Sequence, residues 1–459
     1  MSGTSCIRLE YQEGTLALRG LAAVPDPIPA GGRIDPRDGC IRFEAAAYAD
    51  VLRWLVRSGI EHEDAARRYA QLALTSRVHQ QPFPYQREAL DAWMRGRKRG
   101  VVVLPTGSGK SYLAMMAIEH VQRSALVVVP TLDLVSQWYG VLASTFGIEV
   151  GIVGGGCHEV RDLCVTTYDS AHLHAERLGS RFGLVIYDEC HHLPGESFAF
   201  AARAAIAPFR LGLTATLERA DGRHLLLDDL IGPIVFRREI TDLSGSYLAD
   251  YETVTLRVEL LEQEREEYQA ERSIYTSFLR TRSINMSAPQ GWQRFVMESA
   301  RSAEGRRAFV AYRRQKELAL AASGKLNVLA QLLHQHRQER TLVFTQDNAT
   351  AYAIALRFLI PIITHRTKPK ERAEILRALR QGDYGAVVTS KVLNEGVDVP
   401  EANVAVVLSG SGSVREHVQR LGRILRRAEG KHATLYELIS ASTAEEWVSQ
   451  RRREHGAYR

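Results

Sequence analysis

The sequence predicts an α/β protein with two tandem parallel-sheet domains, a small α/β domain in front of them and a helical insertion between them. Three observations carry this. A strand–turn–helix pattern repeats from about residue 83 to 240, with buried apolar strands near 101–104, 125–129, 163–166, 184–187 and 210–213. A second such set begins near 341 and recurs at 386–389 and 404–408. Between the two sets, 246–320 lacks that alternation and carries segregated charge.

The elements follow in chain order. At 459 residues the chain has room for two to four domains, on a prior of roughly 100–200 residues each. Residues 1–80 are read as the small domain. They hold ten Arg against ten Asp plus Glu. The segments 7–12 and 15–20 alternate around Gly14 as a hairpin would, and Phe43, Tyr48, Val51, Leu52, Leu55, Val56 and Ile60 then recur at helical spacing. Nothing there is catalytic in type. Residues 81–245 are the first parallel-sheet domain, 246–320 the insertion, 321–441 the second domain and 442–459 a basic tail.

The insertion has six Glu and one Arg from Glu259 to Glu271, then ten Arg plus Lys and two Glu from Arg272 to Lys316. Tyr275, Phe278, Trp292, Phe295, Phe309 and Tyr312 are interleaved with the basic run. Cations among aromatics suit a nucleic-acid groove, through phosphate neutralisation and base stacking. The same aromatics would equally serve as the core of a helical insertion. The net charge of +6 agrees with a polyanionic partner without establishing one.

Composition excludes other classes. Hydrophobic residues make up 45% and charged residues 24%, which is globular. No apolar run reaches the ~18 residues of a membrane span, so no membrane partner is expected. The N-terminus has no basic start and no apolar core, which points away from a secretory signal and toward the cytoplasm. Cys6, Cys40, Cys157, Cys164 and Cys190 are odd in number and scattered, as reduced thiols are. The Cys and His residues at 157–164 and 190–192 do not have zinc-site spacing.

The chemistry lies in two segments. LPTGSGKS (104–111) sits between an apolar strand and an apolar-periodic helix, the context that makes a Gly-rich turn a phosphate cradle. Pro105, Thr106, Gly107, Ser108, Gly109, Lys110 and Ser111 form it. Lys110 would meet the β and γ phosphates, and the Ser111 hydroxyl would ligate Mg2+. The usual first glycine is replaced by Leu104. YDECHH (187–192) ends another buried strand with Asp188 and Glu189. Asp188 is expected to hold Mg2+ and Glu189 to orient the attacking water. Together they point to ATP hydrolysis. A third segment, QRLGRILRR (419–427), places Arg423 and Arg426 on one helical face, where they could serve as arginine fingers.

In this order the motifs resemble those of superfamily 2 helicases, from Phe83 to about Ser440. PFPYQREAL resembles the segment whose glutamine, here Gln86, recognises adenine. VVPTLDLVSQW (128–138) and TTYDS (166–170) resemble the DNA-tracking motifs. DECH (188–191) and LTAT (213–216) resemble motifs two and three, with His191, Thr214 and Thr216 as coupling residues. TLVFTQD (341–347), TSKVLNEGVDVP (389–400) and QRLGRILR (419–426) match the second domain, so the resemblance adds Asp398 and Gln419 to the nucleotide site. Within that superfamily the chain is most similar to the XPB DNA-repair helicases in their short archaeal-type form, on FRLGLTATLERADGRH (209–224), ITHRT (363–367) and SGSGSVREHVQRLGRILR (409–426).

That resemblance implies RecA-like motor domains, 3′-to-5′ DNA translocation powered by ATP and Mg2+, a damage-recognition domain at the N-terminus and a thumb-like insertion. It also implies action in nucleotide excision repair or transcription-linked DNA opening, at the nucleoid, with a nuclease or repair-factor partner, and is consistent with action as a monomer. The family's Arg-Glu-Asp motif, used in opening DNA, reads Arg219, Ala220 and Asp221 here. The middle carboxylate is absent, and Glu218 next to Arg219, being offset in sequence, is expected to point elsewhere. A duplex translocase with little unwinding, a restriction-system motor subunit and an ATP-gated DNA-binding scaffold are the other readings. An RNA helicase fits less well, because DECH and TAT replace the usual DEAD and SAT.

Overall fold

A computed structural model describes residues 7–21, 28–29, 31–217, 221–243, 245, 247, 249–288, 290–390, 402–408 and 432–453. The chain forms two compact units, the first within Met1–Glu239 and the second from Ile240 onward.

The first unit opens with a five-stranded sheet. β1 (Ile7–Gln12) and β2 (Thr15–Arg19) form the expected hairpin. β3 (Arg33–Ile34), β4 (Ile41–Glu44) and β5 (His62–Asp64) complete the order β3-β4-β2-β1-β5, covered by α1 (Tyr48–Arg57). α1 buries Tyr48, Val51 and Leu55 of the positions its helical periodicity selected, with Leu52 partly buried, while Val56 is exposed. This core also takes in Ile206 from the adjoining domain. The Tyr11 hydroxyl donates to the carbonyls of Ala204 at 2.8 Å and Ala175 at 3.2 Å, so the small sheet is pinned to that domain.

Among the described residues the adjoining domain is an eight-stranded sheet flanked by helices. In chain order it runs α2 (Pro84–Arg95), β6 (Arg99–Val103), α3 (Lys110–Val121), β7 (Ala125–Val129) and α4 (Leu132–Phe146). β8 (Val150–Gly154), β9 (Cys157–Glu159), β10 (Leu163–Thr167), α5 (Tyr168–Leu173) and α6 (Ala175–Leu178) follow. β11 (Leu184–Asp188), α7 (Glu196–Arg203), β12 (Phe209–Thr214), α8 (Leu227–Leu230) and β13 (Ile234–Arg237) close it. The strand order is β13-β6-β12-β11-β7-β10-β8-β9, and every pair is parallel except β8 with β9. Central strands β7, β10 and β11 are buried along their whole length, which is why they read as continuous apolar runs.

The second unit begins with α9 (Ile240–Leu243) and β14 (Asp250–Val258). Three helices follow, α10 (Glu262–Thr281), α11 (Gly291–Ala300) and α12 (Ala303–Leu320), then α13 (Ser323–Gln335). β15 (Thr341–Phe344), α14 (Asn348–Phe358), β16 (Ile362–Ile363), α15 (Pro369–Gln381), β17 (Ala386–Thr389), β18 (Val404–Val407) and β19 (His432–Ser440) lead to a last helix, Ala444–Arg453. Among the described residues the sheet is six-stranded and all parallel, in the order β14-β19-β18-β15-β17-β16. β14, within the stretch expected as insertion, is therefore an edge strand of this sheet. Fully buried Lys325 donates to Glu445 and to the Leu408 carbonyl at 2.9 Å, tying α13 to the end of β18 and to the last helix. No described helix is long and apolar enough to cross a membrane.

One buried cation holds the first unit's far strand edge together. Arg210 on β12 is fully buried, and its guanidinium donates to the carbonyls of Ala205, Ala207 and Leu230. Burial lowers its pKa to about 10. Arg210→Met would leave these carbonyls without their donor, and a loss of about 3–5 kcal/mol is expected. Calorimetric unfolding measures it, and an unchanged transition would refute this role.

Candidate active site

Parallel strands put their C-terminal ends on one edge, and the motif residues gather there. The loop after β6 reaches Lys110, the first residue of α3. Beside it, the Leu104 amide donates to the Thr214 carbonyl at 3.0 Å, joining the phosphate loop to the end of β12. Asp188 ends β11 opposite Leu213 of β12.

Gln86 and Tyr85 shape the phosphate loop from α2. Gln86 is buried. Its Oε1 accepts from the Phe83 amide at 3.0 Å, and its Nε2 donates to the Ser108 carbonyl at 2.9 Å. The Tyr85 hydroxyl donates to the same carbonyl at 2.7 Å. Ser108 Oγ donates to the Pro105 carbonyl at 2.7 Å. Gly109 has φ +79°, and a Cβ there would lie 2.5 Å from Gln86 Nε2. The left-handed backbone favours glycine here, and a Cβ would displace the Gln86 amide from its seat.

Lys110 Nζ donates to the carbonyls of Leu104 and Pro105, each at 3.2 Å. The buried Thr106 Oγ1 has no hydrogen-bond partner. A cation on neutral carbonyls, an unsatisfied buried hydroxyl and a glycine-bounded loop at the start of α3 suit an anionic phosphate. Ser111 follows Lys110 in the first turn of α3.

The second cluster is acidic and buried. Asp188 is 7% exposed. Its Oδ1 accepts from the Glu189 amide at 3.1 Å and its Oδ2 from Trp138 Nε1 at 2.9 Å. The Tyr168 hydroxyl donates to its backbone carbonyl at 2.9 Å. Burial, with the neighbouring Glu189 charge, pushes its pKa up to about 6, and Lys110 opposes the shift. Glu189 has φ +48° and ψ +51°, a left-handed conformation for a non-glycine residue. Such a conformation costs on the order of 1–3 kcal/mol and persists where surrounding structure fixes it. Glu189 Oε2 is buried without a hydrogen bond, and His191 Nδ1 approaches it at 3.4 Å. The buried Asp188 carboxylate and the Ser111 hydroxyl are hard oxygen donors of the kind a magnesium ion takes.

His191 is fully buried, and its Nδ1 lies 3.0 Å from Thr214 Oγ1. That hydroxyl gives its one proton to the Thr216 carbonyl at 2.8 Å, so Nδ1 must be the donor. The Thr216 amide in turn donates to Thr214 Oγ1 at 3.3 Å. Thr216 Oγ1 is buried without a partner. The water-side carboxylate and the end of β12 thus meet at one imidazole.

Gln86, Pro105, Ser108 and Lys110 are therefore joined in one network, and Asp188, Glu189, His191, Thr214 and Thr216 in another at the same strand edge. Asp221 is exposed, and its Oδ1 accepts from the Arg223 amide at 3.2 Å. Arg219, Ala220, Glu218, Asp398, Gln419, Arg423 and Arg426 lie outside the described residues. Tyr85, Trp138 and Tyr168 were not singled out from sequence, although each sits inside a quoted motif.

Part of the charge in this segment is self-paired. α10 and α12 pack together, and Arg307 pairs with Glu271 at 2.6 Å and Arg314 with Glu267 at 2.6 Å. The acidic half of α10 thus faces the basic α12. Phe278 and Phe295 are buried in the insertion's own core, with Tyr275, Phe309 and Tyr312 partly buried against it. They carry out the core role, while Trp292 stays 45% exposed. Within this unit a groove of about 640 Å³ is lined by Arg313, Lys316, Gln346 and Asp347. Asp347 caps α14, accepting from the Thr350 amide at 2.8 Å.

Three family models match the chain. They are the Xeroderma pigmentosum group B helicase damage recognition domain over residues 9–66, the type III restriction enzyme res subunit over 79–219 and the ERCC3/RAD25/XPB C-terminal helicase over 306–456. A Sulfurisphaera tokodaii protein named DNA 3′-5′ translocase XPB2 is 39% identical over 89% of this chain and 93% of its own length. A Mycobacterium tuberculosis protein named DNA 3′-5′ helicase XPB is 30% identical over 92% of this chain and 72% of its own. The helicase domain of Pyrococcus furiosus Hef aligns with a TM-score of 0.55 at 19% identity, over 80% of this chain and 97% of that one, a likeness of fold.

The loop geometry makes a direct prediction. Gly109→Ala must take a strained φ and push Gln86 off Ser108. Affinity for a fluorescent ADP analogue is expected to fall at least ~10-fold, a cost of about 1.4 kcal/mol or more. Retained affinity would show that this contact does not shape the loop.

Proposed function

The chain belongs to the XPB helicase family, and on that premise we propose that it is an ATP-dependent 3′-to-5′ DNA helicase or translocase acting in nucleotide excision repair and in transcription-linked DNA opening. The observation that carries the reading is the meeting of Lys110, the Asp188–Glu189 pair and the His191–Thr214 bond at one strand edge. DNA is the proposed polymer, met in the cytoplasm at the nucleoid.

ATP would sit with its β and γ phosphates against the loop, where Lys110 leaves the Leu104 and Pro105 carbonyls for the phosphate oxygens. The resemblance assigns adenine recognition to Gln86, whose side chain is seated on Phe83 and Ser108. Asp188 and Ser111 would hold Mg2+, which when bound neutralises charge on the transferred phosphoryl group. Glu189 Oε2, buried and lacking a hydrogen bond, can accept a proton from water and align it for in-line attack. His191 restrains that carboxylate and reports its position to Thr214. Asp398, Gln419, Arg423 and Arg426 are assigned by resemblance alone, the last two as cations at the γ phosphate.

DNA contact is proposed along α4 and α5, which begin in the tracking motifs, and at Arg313 and Lys316 in the groove of the second unit. Such backbone contacts are largely independent of sequence. A damage-recognition role for the first sheet, a thumb role for α10 to α12, and a nuclease or repair-factor partner are proposed on the same resemblance.

Lys110→Ala is expected to abolish both ATP turnover and tight nucleotide binding. Glu189→Gln should abolish turnover while keeping binding. Residual DNA-dependent turnover in either clean variant would reject this site. A second reading, a duplex translocase with little unwinding, is favoured by Ala220 in place of a glutamate. Triplex displacement without strand displacement supports it, and Ala220→Glu should then raise strand displacement. Efficient strand displacement by the natural chain would exclude it.

A further inference from the structure

Three of the acceptors on Asp188 are already taken, and two of the donors come from helices that carry the tracking motifs. Trp138, 2% exposed on α4, gives its indole N–H to Oδ2 at 2.9 Å. Tyr168, 2% exposed at the first position of α5, gives its hydroxyl proton to the backbone carbonyl at 2.9 Å. The Glu189 amide holds Oδ1. α4 follows β7, and α5 follows β10, one strand further from β11. Two neighbouring layers of the fold thus converge on one residue.

These contacts differ in kind from ordinary core packing. A buried position on α4 facing apolar strands needs only an apolar side chain. Here the indole places a donor on a carboxylate, a charge-assisted bond in a desolvated site. Tyr168 likewise packs its ring against Phe198 at 5.4 Å between centroids and spends its hydroxyl on Asp188. Both helices start with side-chain caps, Thr131 on the Leu134 amide and Thr167 on the Ser170 amide. Each cap satisfies an end amide and fixes where its helix begins. Trp138 lies six residues beyond the start of α4, about 9 Å along the axis. A shift of about 1 Å at the helix start would carry the indole N–H beyond hydrogen-bond reach of Oδ2.

We infer that Trp138 and Tyr168 are positioning residues that transmit DNA engagement by α4 and α5 to Asp188, making the metal-holding carboxylate the point where the polymer sets nucleotide affinity. This rests on the reading that α4 and α5 meet DNA. Linkage then requires reciprocity: DNA must alter affinity for the nucleotide–magnesium complex, and that complex must alter affinity for DNA by the same factor.

The test uses the full chain, a forked DNA oligonucleotide and N-methylanthraniloyl-ADP titrated at fixed Mg2+, with and without saturating DNA. In the natural protein DNA should shift the nucleotide dissociation constant by at least about fivefold. Trp138→Phe keeps a ring and loses the N–H. Tyr168→Phe loses only the hydroxyl, so it keeps the test decisive if the first variant unfolds. Each is expected to reduce the shift to below about twofold. With DNA present, kcat should fall about tenfold, and KM for ATP should move in the direction of the lost shift. Variants that keep the natural shift would overturn the inference. So would an equal loss of nucleotide affinity with and without DNA, which marks local damage to the site. A natural protein with no DNA-induced shift and no DNA-stimulated turnover would remove the underlying reading as well.

Discussion

Parallel pairing of β6, β12 and β11 is the constraint from which the site follows. Register places Thr214 opposite Val103 and Asp188 opposite Leu213. Each strand therefore delivers its next residues to the same edge. The phosphate loop, the acidic pair and the Thr214 turn become neighbours without any long-range search. A slip of one residue in β11 would turn Asp188 to the other face of the sheet. Burial of β11 along its whole length opposes such a slip, since it would misalign a continuous apolar layer.

Asp188 then carries the electrostatic cost. Its carboxyl is nearly without solvent and has Glu189 beside it, so its pKa rises. The Trp138 N–H and the Glu189 amide offset part of that penalty. Lys110 offsets more across the edge. Glu189 accepts a left-handed backbone, which places its carboxylate near His191. An arrangement that strains one residue and desolvates its neighbour stores free energy that a bound cation and phosphate can release.

Much of this was legible in sequence, for identifiable reasons. Strands buried on both faces leave unbroken apolar runs, so Ala125–Val129, Thr341–Phe344 and Ala386–Thr389 were located to the residue. β14 and β19 were not. β14 is a partly exposed edge strand, and β19 beside it alternates polar and apolar residues in its first half. β8 was hidden by Gly151 and Gly154. Gly151 is there because a Cβ would lie 2.5 Å from the Arg161 amide. The phosphate loop and DECH announced themselves by residue type. Trp138 did not, since a tryptophan on a helix reads as core until its N–H is seen on a carboxylate. The insertion's aromatics looked available for stacking, but a small helical bundle needs its own core, and Phe278 and Phe295 fill it.

The central claim is that this edge turns ATP hydrolysis over in response to DNA. The most direct measurement is steady-state ATP turnover with no nucleic acid, single-stranded DNA, forked DNA, duplex DNA and RNA. The account predicts a low basal rate that rises with DNA and rises much less with RNA. A flat rate across all five conditions would contradict it.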